Sequence, residues 1–354
     1  VRVANPQIVM WKKCQERLKT FSKFEEKFSA DCKQGKYRGC MFDCSSRHPI
    51  LEVKCIKKSI RRCVNRISDN LKSVALLTGK LLRAIDYLKP LGKLPHKCAI
   101  YWAAFNIVEN ALEPKENKMG WDKHVPLAAM ASIAVAYLGP PLQNAIRSKL
   151  MEKCVYVRLD LKSNPTTEEL IDISTLEAHV LYHVDKSIQF FSCLLQAEMR
   201  EEDRRLMYRP VPNTSPDEQL IRFFPTYDHF KPKALLGGMR RAWEWMAFVI
   251  NQLGDDRPHM LSANLLAVFL KFTGWQMVLR YKKQMLKILR VVESRQISDV
   301  LNKMFLDANR TLGAGKQNEP EIVLNQIIFL RQIVEKLKNG RDLQWFKRFA
   351  IGRS

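Results

Sequence analysis

Residues Gly238–Val292 read GMRRAWEWMAFVINQLGDDRPHMLSANLLAVFLKFTGWQMVLRYKKQMLKILRVV. At 3.6 residues per turn, Met239, Ala242/Trp243, Met246, Ile250 and Leu253 share one helical face. After the Gly254-Asp255-Asp256 and Pro258 interruption, Leu261, Leu265, Val268/Phe269 and Phe272 do the same. These spacings predict two buried helices joined by a loop. From Met277 onward, Met277, Tyr281, Met285, Ile288 and Val292 fall on one side, while Arg280, Lys283, Lys287 and Arg290 fall on the other. Four cations on one helical face suit an anion, so the segment reads as a binding module rather than an enzyme.

Outside this stretch almost every patterned segment keeps the helical period. Trp11–Phe28 is a Lys-rich amphipathic helix, and Ile56, Ile60, Val64, Ile67, Leu71, Val74, Leu77 and Leu81 predict one long helix with Arg61, Arg62 and Arg66 on its polar side. Further helices are expected at Ile100–Leu112, Leu127–Leu138, Leu142–Cys154, Glu168–Glu201, Ile297–Ala308 and Glu321–Lys338, and the opening stretch divides into Arg240–Leu253, Ser262–Gly274 and Met277–Val292. Loops are expected at Leu88–Pro95, Glu113–Lys123 and Tyr208–Lys233. Successive helix pairs of this length stack into an all-α solenoid with a continuous core. The expected division is a basic, Cys-rich segment at 1–50 and a helical domain at 51–354.

Composition narrows the partners. The chain has 354 residues, 46% of them hydrophobic, enough for a large core. Its 59 Lys+Arg against 36 Asp+Glu give a net charge of +23, which favours nucleic acid, inositol phosphates, anionic lipid or an acidic protein. Nine irregularly spaced cysteines fit a reducing compartment better than a disulfide framework. Val125–Ile146 carries no charge, but Pro126, Gly139, Pro140 and Pro141 interrupt it, so no membrane span is expected. No secretory signal opens the chain, and Val1 in place of an initiator methionine suggests an excised fragment.

The block Pro126–Tyr156, PLAAMASIAVAYLGPPLQNAIRSKLMEKCVY, is an apolar helix, a Gly-Pro-Pro break and an amphipathic helix ending at Lys153-Cys154. Followed by Gly238, Ala242, Trp243, Trp245, Met246 and Ala247, and then by Lys287 in an aliphatic run, it resembles the GLFG-lethal-one (Gle-one) family of nuclear-pore mRNA export mediators. A third echo is KKSIRRCVNRISDNLKSVALLTGKLLRAI at Lys57–Ile85. The likeness extends from Lys57 to Ser354, closing on Trp345/Phe346 and Arg353-Ser354, and its weight lies in the ordered set.

The resemblance implies a HEAT-like, MIF4G-like helical domain that performs no chemistry. Such a domain docks on an RNA-dependent DEAD-box RNA helicase at the cytoplasmic face of the nuclear pore and promotes RNA and nucleotide release. Contact with RNA is then mainly indirect, and the expected location is the nuclear envelope and the cytoplasm. Translation initiation or termination factors are further partner candidates. Fungal members bind inositol hexakisphosphate in a pocket of lysines. Carried over, the family's Lys-Lys pair becomes Glu152-Lys153, the later lysine is Lys287, and an earlier cationic position becomes the neutral Trp102-Ala103-Ala104-Phe105. One cation is thereby lost and an anion gained, a change worth about 1.5 to 3 kcal/mol per charge-assisted bond. Lys123, Lys149 and Lys283 are compensating candidates beside Lys153 and Lys287. The family also receives a segment of an FG-type nucleoporin. Trp243, on the Met239/Met246/Ile250 stripe, is expected in the core, whereas Trp245, Phe223 and Phe224 are candidate partner contacts.

Other motifs give weaker chemistry. Cys32, Cys40, Cys44 and His48 have ligand types for a tetrahedral zinc site and loosely resemble Cys-Cys-Cys-His fingers, with an ordinary basic loop as the alternative. Gly313–Lys316 matches the end of a P-loop but has Gln317 where magnesium needs Ser or Thr. His179, Tyr182, His183 and Asp185 share a helix without a general-base motif. Two alternatives to the activator reading stay open: a module that binds RNA directly through its basic surfaces, and an adaptor on anionic membranes.

Overall fold

A computed structural model describes residues 6–34, 49–68, 71–112, 123–158, 178–197, 235–253, 261–293 and 319–340. Among them the architecture is all-α, eleven α-helices packed on one another without strands, as the periodicity predicts. The helices are α1 (Pro6–Lys33), α2 (Pro49–Asn65), α3 (Leu71–Asp86), α4 (Lys93–Leu112), α5 (His124–Leu138), α6 (Pro140–Lys153), α7 (Ala178–Gln196), α8 (Gly238–Leu253), α9 (Ser262–Tyr281), α10 (Lys283–Val291) and α11 (Glu319–Lys338). They fall into two compact units, α1–α6 and α7–α11. No described helix is long and apolar enough to cross a membrane.

In the first unit α4 is the central element, packed against α1, α2, α3, α5 and α6. Its sequence explains the position. Cys98, Ala99, Trp102, Ala103, Ala104, Ile107, Val108 and Ala111 are all buried, so the helix is apolar nearly all round, and its alanines let neighbours approach closely. Gly139, at φ 72°, and the Pro140-Pro141 pair that opens α6 make the expected break between α5 and α6.

Helix α1 belongs to this same unit, so the division in the structure does not coincide with the boundary expected after residue 50. Cys14, Phe21 and Phe28 recur every seventh residue and are buried with Cys32. Phe21 stacks on Tyr101 at 4.6 Å and meets Phe105 edge-on at 5.0 Å. Each such phenylalanine contributes about 1.5–3 kcal/mol by burial. The Trp102 indole N–H donates to Glu25 Oε1 at 2.8 Å, and Lys57 Nζ reaches the same oxygen at 2.5 Å.

The long helix expected from Ile56 to Leu81 is two helices. The first ends at Asn65, and the second begins at Leu71. The intervening Ser68-Asp69-Asn70 has short polar side chains that compete with helical hydrogen bonds and favour caps.

In the second unit α9 is the central element, packed against α7, α8, α10 and α11. Residues 263–270 are buried without interruption. The boundary expected near Gly274 is absent: α9 continues to Tyr281, and the chain breaks instead at Lys282, at φ 45°. Gly274 has a packing role. A Cβ there would lie 2.5 Å from Leu337 Cδ1 on α11, so the missing side chain is what lets the two helices approach. The expected helices at Glu168–Glu201 and Ile297–Ala308 are seen only as α7 within the former; the rest lies outside the described residues.

Candidate anion-binding surfaces

Helix α10 is nine residues long, anchored by buried Met285 and Leu289 and followed by buried Val292. Its approach is fixed by Tyr281, whose hydroxyl donates to the Met239 carbonyl at 3.1 Å and whose ring lies 4.4 Å from that of Trp243. The opposite side is cationic. Arg280, Lys282, Lys283, Lys287 and Arg290 are all exposed, and among the described residues none has an ion-pair partner. Glu293, the nearby carboxylate, pairs with Lys338. Lys283 also stands at the first position of α10, where the helix dipole is positive, a placement that costs about 0.3–1 kcal/mol and that a bound anion relieves. Chemically this face can hold a multiply charged anion by charge-assisted hydrogen bonds.

The α6 candidates behave differently. Lys149 is buried; its Nζ lies 2.9 Å from Glu152 Oε2 and 3.4 Å from Glu109 Oε1, and 4.6 Å from the Phe105 ring centroid. Its charge is already matched, which removes it from the set of free phosphate ligands. Glu152 is engaged by the same contact, while Lys153 is exposed with no ion-pair partner among the described residues. Lys123 is half-buried ahead of α5 and has an interaction of its own. Of the five lysine candidates, Lys123, Lys149 and Lys153 therefore lie in the first unit, and Lys283 and Lys287 in the second. Trp102, Ala103 and Ala104 are core.

The tryptophan assignment is reversed. Trp245 is 0% exposed, its ring 4.3 Å from Phe269 and 6.1 Å from Phe191, and it cannot serve as a surface contact in this packing. Trp243 is the half-buried one, against Tyr281. The reason is a rotation of the buried stripe of α8. It runs through Ala242, Trp245, Met246 and Val249, and Met246 is common to both possible stripes. Phe223 and Phe224 lie outside the described residues.

Cys32, the one described member of the zinc set, is buried near the end of α1. Burial, and secondarily Asp31, raise its pKa, which favours thiol over the thiolate a metal needs. Cys40, Cys44 and His48 lie outside the described residues, and among those described no cluster of three metal-ligating side chains occurs. Cys14, Cys32, Cys63, Cys98, Cys154 and Cys193 are buried and take no part in a disulfide, and burial pushes the Cys98 thiol up to about 12. Asp185 accepts a 2.6 Å hydrogen bond from Asn264; burial raises its pKa, opposed by that bond and by Lys186 and Lys271. His179, Tyr182 and His183 lie on α7 at positions whose side chains are outside the description, as is Gly313–Lys316.

No family model matches the chain, and no curated protein matches it. Solved structures do. One, of the C-terminal domain of an S. cerevisiae Dbp5 point variant bound to Gle1 and IP6, has a TM-score of 0.55 at 13% identity, covering 94% of this chain and 96% of that one. A second, in which Gle1 also carries a substitution, has a TM-score of 0.56 at 13% identity with the same coverage. The fold is distantly Gle1-like.

Proposed function

We propose that this protein is a non-enzymatic activator of an RNA-dependent DEAD-box ATPase, acting at the cytoplasmic face of the nuclear pore in poly(A) mRNA export. The observation that carries the reading is the exposed cationic face of α10, which has no ion-pair partner among the described residues, on a fold similar to one solved in complexes with Dbp5 and IP6. The ligand on this face is inositol hexakisphosphate or a similar polyphosphate, held by Lys283 and Lys287. Lys149 is committed to Glu109 and Glu152 and adds no free cation to phosphate binding.

The test is RNA-stimulated ATP turnover by the cognate DEAD-box helicase with and without this chain, each with and without inositol hexakisphosphate. Stimulation by the chain that the polyphosphate increases is the expected result. Stimulation indifferent to the polyphosphate would keep the activator and remove the ligand. No stimulation by folded protein would overturn the reading.

A further inference from the structure

Helix α2 carries a second cationic surface that the activator reading does not use. Its buried face is Ile60, Cys63 and Val64, continued by Ile67. Lys58 and Arg62 lie roughly 180° from Ile60 on the helix, with Arg61 and Arg66 on either side of them. All four are exposed, and among the described residues none has an ion-pair partner. The Arg66 amide donates to the Arg62 carbonyl at 3.1 Å, so the helical path continues to the last of them. No acidic residue occurs from Val53 to Ser68.

This is not how the chain treats cations that serve its fold. Lys57, one residue away, pairs with Glu25 and lies over Trp102. Lys149 pairs with two carboxylates, Arg241 with Glu244, and Lys338 with Glu293. The helix dipole accounts for cations in the last turn of α2, where Arg62 sits, but not for Lys58 and Arg61 before it.

We propose that this face of α2 binds the phosphate backbone of single-stranded nucleic acid. Lys58, Arg62 and Arg66 follow one another every fourth residue, about 6 Å apart along the axis. That repeat is comparable to the separation of successive phosphates in an extended strand. A row that continues over three successive turns suits an extended polyanion, which can touch every member of it. Three of the four are arginines, whose planar fork grips phosphate oxygens in pairs. An acidic protein segment is the competing occupant, and the test separates it.

The probe is a fluorescein-labelled oligouridylate of about twelve nucleotides, titrated with the full chain and followed by anisotropy between about 50 and 200 mM salt. The variant Lys58→Gln/Arg61→Gln/Arg62→Gln/Arg66→Gln is expected to weaken binding at least tenfold. It should also flatten the slope of log affinity against log salt by about 3, at roughly 0.7 per lost contact. The variant Lys12→Gln/Lys19→Gln/Lys23→Gln/Lys27→Gln removes the same charge from exposed positions of α1 and should change the slope by less than about 1. The charge-keeping variant Arg61→Lys/Arg62→Lys/Arg66→Lys should retain the slope. Equal losses from the α1 and α2 glutamine variants would mean diffuse charge, and unchanged oligouridylate binding by the α2 variant would exclude the strand; either overturns the proposal. Loss of helicase stimulation with oligouridylate binding intact would assign α2 to an acidic protein instead. The oligouridylate assay contains no helicase, so its outcome is independent of the activator reading.

Discussion

Helices α6 and α10 both carry lysines that an alignment by type would treat as equivalent, and they use them in opposite ways. On α6, Lys149 turns inward to Glu109, Glu152 and the Phe105 ring. On α10, Lys283 and Lys287 turn outward with no counter-charge among the described residues. A lysine's availability is decided by what stands one helix away. Glu152 stands three residues on, but the second counter-charge, Glu109, is forty residues away in sequence, so no local pattern shows that Lys149 is held from both sides.

The largest effect expected is on the platform that supports α10. Trp245→Ala removes a fully buried ring from between Phe191 and Phe269 and should cost about 3–5 kcal/mol, read as a fall in melting temperature. Trp243→Ala, at a half-buried site, should cost clearly less. An equal loss would mean that the stripe on α8 is not rotated as described.

Next, Lys283→Gln/Lys287→Gln should leave the melting temperature unchanged and weaken polyphosphate binding by about 3 kcal/mol, on the order of 100-fold, by titration calorimetry. Lys149→Met should do the reverse. It should cost about 1–2 kcal/mol of stability, discounted because Glu109 and Glu152 are nearly half exposed, and leave polyphosphate affinity where it was. If Lys149→Met were the variant that lost ligand, the contrast between the two helices would collapse.

Within the first unit the inward-held charges also set a pH response. Burial pushes the Asp86 carboxyl up, but the Tyr137 hydroxyl that donates to it and the charges of Lys89 and His96 outweigh burial and hold it below its ordinary 3.8. At 3.8 Å, His96 acts through its charge rather than through a hydrogen bond. The folded pKa is depressed, so the stabilisation is present above the unfolded pKa and is lost as pH falls through the folded one. Asp86→Asn should lower the stability at neutral pH, and the deficit should shrink as pH falls through the folded pKa, so that the variant's acid denaturation is flatter; equal melting-temperature deficits at pH 7 and below about pH 3 would contradict it. The smallest effect is expected from Glu244→Gln, which weakens contacts to the exposed Arg240 and the largely buried Arg241 and should cost about 0.5–1 kcal/mol in thermal melts.

Much of the fold is legible in the sequence because helical period and turn chemistry are local. The Gly139-Pro140-Pro141 break, the all-round apolarity of Leu127–Leu138 and the cationic side of Lys283–Arg290 all carry over. What fails depends on tertiary partners. The choice between Trp243 and Trp245 turns on which of two overlapping stripes, both containing Met246, meets Phe269. The helix end expected near Gly274 fails because that glycine serves α11 rather than a turn. The place of α1 in the first unit is signalled by the seven-residue spacing of Cys14, Phe21 and Phe28, a signal that the lysines between them dilute. The candidate site is legible as charge and not as pairing, since Glu25, the partner of Lys57, and Glu109, one of the two partners of Lys149, come from other helices.

Gly274 and Leu337 together work as a notch and a tooth. Sliding α11 along α9 by one residue would bring Thr273 or Trp275 under a leucine that has room only for hydrogen, so the two helices hold a single register. A load placed on α11 therefore travels along α9 as along a rod, and Lys282 is where that rod bends. The cationic face of α10 begins at that bend, and its aim relative to α11 is held at both ends, by the turn at Lys282 and by the Glu293–Lys338 pair.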